Sequence, residues 1–303
     1  MTPGWWRPTL VVLLLVLVGL AAPLSVVARW THTTVSDTDD YLAVVTPLAK
    51  NPAIRTAVTD GVTSAVTDRV DLPGLETLVR SQTRRFVDSD AFASVWTAAN
   101  REAHRQFVGV VTGSGTGEVT VEDGTVSLNL AGVIESVKQS LADRGVPGVS
   151  LIPVIDASFT IFESDHIVTL QRWFHLLDRS SGPLPFLAGA LIAATVVITR
   201  ARLRAATIAA LCVALGMGLL AVALAVVRVR YLDELPTTIS QPAASAVFDA
   251  LAAPMWSMLW DWFIAALGSA IVLGALWLGW HRFSRPRPTA TSPEAATPHQ
   301  EKP

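Results

Sequence analysis

The sequence predicts an α+β domain (helices, a β-hairpin, a helix, strands, a helix) held outside a membrane by an all-α bundle of four transmembrane helices. Three observations predict it. Of the 303 residues 51% are apolar and only 16% charged, where a soluble globular chain carries roughly 25% charged residues. Four stretches are long enough and apolar enough for lipid, or nearly so. Between the first and second lies a hydrophilic region, 29–183, of about 155 residues, sufficient for one compact domain with its own core.

A helix rising 1.5 Å per residue needs about 20 apolar residues to cross the ~30 Å hydrocarbon layer. The first candidate is TLVVLLLVLVGLAAPLSVVA, residues 9–28. The second, LPFLAGALIAATVVIT at 184–199, is short but is followed directly by an arginine able to snorkel to the headgroups. The third runs over 205–227 and the fourth over 259–280. Trp5 and Trp6 precede the first, and Trp256, Trp260, Trp262, Trp277 and Trp280 bracket the fourth, as suits residues that favour the interface. VVA before Arg29 also fits a signal-peptidase site, but the apolar run exceeds the ~7–15 residues of a signal core, so an uncleaved anchor is expected.

Short loops rich in Lys and Arg stay in the cytoplasm. The joint 200–204 carries Arg200, Arg202 and Arg204 and no acid, and the tail 281–303 opens HRFSRPRP with Arg282, Arg285 and Arg287. Both are expected inside, together with the N-terminal residues 1–8. Region 29–183 and loop 228–258 then lie outside, the former with 13 basic and 19 acidic residues and no positive excess to hold it back. The rest of the tail, rich in Pro, Thr, Ala and Ser, reads as disordered.

Within the outside region, Asn51 before Pro52 is an N-cap followed by proline at the first helical position, and Ile54, Val58, Val62, Ala65 and Val66 recur at helical spacing. Leu75, Leu78, Val79 and Phe86 mark a second helix. Phe92, Trp96, Ala99, Ala103, Phe107 and Val110 mark a third, from about Asp90 to a stop at Gly113. EVTVEDGTVSLNL then alternates around Asp123-Gly124, a hairpin signal. A short helix through Val133, Ile134, Val137 and Leu141, strands GVSLIPV and SFTIFES, and an amphipathic helix from Asp165 to Arg179 complete the expectation. That last helix, with Ile167, Leu170, Trp173, Phe174 and Leu177, would pack on the domain or rest on the membrane. In loop 228–258 a separate short helix, Pro242 to Leu251, is expected over the bundle mouth.

Motifs for chemistry are sparse. GSGTG at 113–117 follows a helix and precedes a strand, the reverse of a phosphate-binding loop. His32, His104, His166 and His175 show no His-x-x-x-His or Glu-x-x-His spacing, and Cys212 is the lone cysteine. No Gly-x-Ser-x-Gly elbow or Ser-x-x-Lys pair occurs. Arg84, Arg85, Arg101 and Arg105 form a basic cluster on adjacent helices that could meet a lipid headgroup or anionic glycan, although solvated faces paired with Asp88, Asp90 and Glu102 are the ordinary case. In the fourth span Asp261, expensive in lipid, is expected to pair with Arg228 or Arg230 at the outer end of the third. Ala210, Ala214 and Gly218, and Gly189 with Ala193, form small-residue ladders for close helix contact.

The blocks TVSDTDDYLAVVTPLAKNPAIRTAV, VWTAANREAHRQFVGVVTG, GTVSLNL, FTIFESDHIVTLQRWFHLLD and RVRYL carry a likeness that covers nearly all of the chain after residue 30. Through them the chain resembles a family of uncharacterised integral membrane proteins from actinomycetes. The resemblance implies a four-span layout, an exported domain and an envelope setting, and it assigns no residue a role. The expected function is that of a non-enzymatic multi-pass envelope protein displaying a binding or interaction domain. Its expected partners are the lipid bilayer, another membrane protein or an envelope component, and further copies of itself. Nucleic acid, a cofactor and a metal are not expected. Two alternatives are a permease-like subunit of an ATPase-coupled complex, which would need a coupling helix that a five-residue joint has no room for, and an exported hydrolase with a scattered carboxylate site.

Overall fold

A computed structural model describes residues 6–68, 73–113, 119–122, 125–129, 139, 158–199 and 201–283. The short helix expected after residue 130, the GVSLIPV strand, the Asp123-Gly124 turn and most of the tail lie outside the described residues.

Three helices are long and apolar enough to cross a membrane, within Thr9–Ser36, Arg202–Asp233 and Gln241–Trp280, and a bent pair of shorter helices adds up to a fourth crossing. Helix α1 spans Trp6–Trp30 and passes into a π-helical turn, Thr31–Ser36. Its Val18, Ala22 and Val26 are buried, one per turn, while Leu13, Leu17, Leu20 and Leu24 face outward. The helix at the C-terminal end, Gln241–Phe283, has 43 residues and extends about 64 Å. It is therefore roughly twice the hydrocarbon thickness. The separate helix expected at Pro242 to Leu251 is instead the first part of this long helix. Only Pro254 interrupts the backbone ladder, and the loss of one bond is too little to end a helix held on both sides by packing.

Between these lie the remaining helices: α2 (Thr38–Val45), a 3-10 turn (Thr46–Lys50), α3 (Pro52–Thr67), α4 (Leu75–Val87), α5 (Asp90–Thr112), α6 (Ser164–Ser180), α7 (Pro183–Ile198) and α8 (Arg202–Asp233), with Gln241–Phe283 as α9. Local chemistry explains several of the ends. Asp37 caps α2 by accepting from the amides of Asp39 (2.8 Å) and Asp40 (3.0 Å), and Asn51 caps α3 through the Ala53 amide at 2.9 Å. Gly113 ends α5 at φ +67°, a left-handed conformation that a side chain would disfavour. Helices α6 and α7 meet at a 60° bend around Gly182.

The expected α+β domain is overturned. The described part of the chain is helical almost throughout, and all three hydrophobic clusters are built from helices and the turns that join them. The alternating stretches appear only as short backbone pairings, Val119–Glu122 with Thr125–Asn129 and the latter with Ser158–Glu163. A sheet needs one face covered to contribute a core, and here the cores are occupied by α1 to α5 and α7 to α9. Alternation in sequence had signalled local extended backbone, not the layer that organises the domain.

The first cluster joins α1, α8 and α9 through Val18, Val26, Met217 and Leu259, with Leu191 and Ile192 of α7 packed against it. In the second, Leu42, Val45, Leu48 and Ile54 pack on Ala243, with Val247 and Leu251 of α9 alongside. The third closes α5 over α3 and α4 through Ala49, Val87 and Phe92. Helices α2 to α5 thus form a cap, and α9 runs from this cap into the bundle as one continuous helix.

Candidate functional site

A concentration of charge in the cap lies between α3 and α4. Residues four and about eight apart share a helix face. Pro52, Thr56, Thr59 and Asp60 accordingly line one wall of a cavity of about 330 Å³, and Arg80, Arg84, Val87 and Asp88 line the facing one. Lys50 and Arg55 close the end beside the start of α3. Arg55 is held in place: its Nε donates to the Ala49 carbonyl at 3.0 Å and its Nη1 to Asp88 Oδ1 at 3.2 Å. Arg80 bridges Asp60 and Glu76, the latter at 3.2 Å. Among the described residues, Lys50 and Arg84 have no acidic partner.

The basic cluster read from the sequence is therefore divided differently. Arg84 faces the cavity, whereas Arg101 pairs with Asp39 at 3.0 Å and Arg105 with Glu102 on its own helix. Lys50, Arg55 and Arg80 were missed. The spacing of Arg80, Arg84 and Asp88 at every fourth residue was a usable signal for a polar stripe, but nothing local announced that α3 would lie opposite.

A second polar constellation sits where α1 leaves the bundle. The π-helical turn offsets the chain here, and such turns recur at functional positions. His32 Nδ1 lies 2.8 Å from Asp178 Oδ1, and Ser36 Oγ donates to the same oxygen at 2.9 Å. Because the serine proton goes to the carboxylate and not to the imidazole, these three groups do not form a nucleophile relay. They clamp α6 to the end of α1, while Gln171 Nε2 ties α6 to α5 by donating to the Val110 carbonyl at 2.7 Å. Deeper in the cap, His104 stacks on Tyr41 with ring centroids 4.0 Å apart, and its Nδ1 is 3.2 Å from Thr38 Oγ1. Its buried Nε2 has no hydrogen-bond partner among the described residues, and burial lowers its pKa below 6.5 despite the backbone of Val35 nearby, which acts the other way. Among the described residues no three His, Cys, Asp or Glu side chains converge as metal ligands. The side chains of Asp165 and His166 lie outside the described residues.

The ion pair expected for Asp261 is corrected. Arg228 instead grips Asp249 with both prongs, Nε to Oδ1 at 2.7 Å and Nη2 to Oδ2 at 2.8 Å. Because α9 begins at Gln241, Asp249 is three turns nearer the mouth than Asp261 and lies beside the end of α8. Asp261 is exposed, and neither it nor Arg230 has a described ion-pair partner. The small-residue ladders are corrected as well. Ala214 is buried, but Gly189 and Gly218 have open space beside them. The close approach is Gly216 on Gly19, where a Cβ would come within 2.2 Å of the Gly19 carbonyl oxygen. That carbonyl is the one that Pro23, four residues on, deprives of its intrahelical donor.

Of the arginines expected to set the topology, Arg202 and Arg204 occupy the first turn of α8 and are exposed; Arg282 lies in the last turn of α9. Arg200, Arg285 and Arg287 fall outside the described residues. No protein-family model matches the chain, and no curated protein or solved structure matches it either.

Proposed function

We propose that this multi-pass membrane protein displays its helical cap on the outer side of a cell membrane as a binding module, with the bundle as its anchor. The observation that carries the reading is the opposition of two ends. The cap gathers where α1 ends, α7 starts, α8 ends and α9 starts. Arg202 and Arg204 of the joint and Arg282 near the end of α9 lie at the other end of the same helices. Cations in the first turn of α8 oppose its macrodipole, at a cost of about 0.3–1 kcal/mol each. Helix stability gives no reason for them; attraction to a cytoplasmic anionic leaflet does.

The amphipathic α6 supports a position close to the bilayer. Its Phe174 is buried inward while Trp173 and Leu176 are more than half exposed, and Arg172 and Arg179 flank them. An interfacial helix has this composition, with indole and aliphatic groups at headgroup level and cations reaching the phosphates. The joining of cap and bundle by one continuous helix suits a module whose occupancy is felt by neighbouring membrane proteins or by a second copy.

The experiment is impermeant thiol labelling of intact cells in a background where Cys212 is serine. Ser81→Cys on the exposed face of α4 is expected to label without permeabilisation, and Arg202→Cys only after it. The opposite pattern overturns the proposal.

A further inference from the structure

We propose that the cavity between α3 and α4 binds a phosphate monoester group. The inference rests on the reading of the cap as a binding module and supplies the chemical class of its ligand. Two cations aimed at this cavity are unspent: Lys50 and Arg84 have no acid among the described residues. Arg55 and Arg80 are committed to Asp88 and to Asp60 with Glu76. These pairs position their guanidinium groups on the cavity wall, where donors not used by the carboxylates remain. Even with Glu76 counted, the group is net positive by one charge, four cations against three acids.

The chemistry selects among anions. A phosphate monoester carries about −1.5 to −2 charges near neutral pH and three acceptor oxygens, so it matches Lys50 and Arg84 together. A carboxylate leaves one of them unmatched. The Arg84 fork can take two oxygens while Lys50 serves as a point charge on the third. The Thr56 hydroxyl on the same wall is a further donor, and the first turn of α3 adds the positive end of a helix dipole. Buried Val87 and the ring of exposed Pro52 give the cavity an apolar side. At about 330 Å³ the space falls at the lower end of the roughly 300–1,000 Å³ of small-molecule sites, which suits a small organic ester better than a bare ion. Such an ester could be free in solution or be the exposed headgroup of a lipid like phosphatidic acid.

The test uses the purified full-length protein. In detergent micelles, calorimetric titration with glycerol 3-phosphate at constant ionic strength is expected to show saturable binding that acetate does not compete away. Lys50→Gln with Arg84→Gln is expected to weaken it at least about tenfold without changing the thermal melt of the unliganded protein. Thr56→Val, an exposed single change, is expected to weaken it a few-fold and serves if the double variant does not fold. In a second arm, phosphatidic acid is added to phosphatidylcholine nanodiscs. If it raises the melting temperature of the wild type but not of the double variant, the ester is a headgroup; if only glycerol 3-phosphate binds, it is a free metabolite. The proposal is overturned if neither probe binds, if the variants bind as well as the wild type, or if acetate competes equally. None of these results bears on thiol labelling in cells, so failure here leaves the sidedness reading standing.

Discussion

The cap and the bundle of this chain differ in what they leave on the outside. In the cap, larger apolar side chains are inside: Leu42, Leu48, Ile54, Val87 and Phe92 are each below 10% exposed, while arginines and acids face outward. In the bundle Val18, Met217 and Leu259 are also inside, but they share the centre with many small residues, and large apolar side chains cover the outside as well. Alanines at 205, 209, 214 and 270 are buried, whereas Phe186, Val197 and Trp280 are 81%, 73% and 72% exposed. Water rewards the removal of large apolar area, so size goes to the centre. Lipid gives no such reward, so large apolar side chains can stay outside, and small residues join the large ones at the centre where backbones approach closely. One helix, α9, obeys both rules along its length, with Ala243, Val247 and Leu251 in the cap core and Leu259 and Ala266 in the bundle core.

Several changes break or sharpen this contrast. The largest effect is expected from Gly216→Leu, which drives a side chain into the Gly19 carbonyl. A loss of about 3 kcal/mol or more should appear as a collapse of the monodisperse peak in detergent, with the cap sequence untouched. Ile54→Ala opens a cavity in the cap core at a site 4% exposed. It should cost about 2–3 kcal/mol and accelerate hydrogen exchange in α2, α3 and the first turns of α9, leaving residues around Met217 protected. If exchange in the bundle rises equally, cap and bundle are one cooperative unit and the contrast is less sharp than drawn.

Trp30→Phe tests the seam. The indole donates to the Leu251 carbonyl at 2.9 Å, three residues before Pro254 loosens the ladder of α9. Its loss should cost about 1 kcal/mol, read as a lower melting temperature in the same detergent. Replacing the cap of α3, Asn51→Ala, should cost about 1 kcal/mol as well, confined to the cap by hydrogen exchange. The smallest effect is expected from pH. Burial keeps the folded pKa of His104 below its ordinary 6.5, so the unfolded chain takes the proton first. The stability associated with a neutral His104 is complete above about 6.5 and declines as pH falls through that value toward the folded pKa. His104→Gln should remove that slope between pH 8 and 5; an unchanged slope would place it in another group.

Much of the architecture was legible residue by residue. Asn51-Pro52 announced the start of α3, Gly113 the end of α5, and four apolar runs the helices that became α1, α7, α8 and α9. The candidate cavity was only half legible: Arg84 was noticed, but Lys50, Arg55 and Arg80 acquire meaning only when α3 and α4 face each other. The stretch around Asp123-Gly124 misled on fold class, because alternation reports an extended backbone over a few residues and not what covers it.

The sequence by itself determined what depends on near neighbours and on composition: helix caps and stops, segments too apolar for water, and arginines gathered at one end of them. Tertiary structure alone decided the rest, namely that Pro254 does not divide α9, that Arg228 takes Asp249 in place of Asp261, and that Gly216 meets Gly19. The physical reason is that a cap or an apolar run is settled by energies within one or two helical turns. Which partner a charge or a glycine meets depends on the rotation and register of whole helices, summed over contacts far apart in the chain.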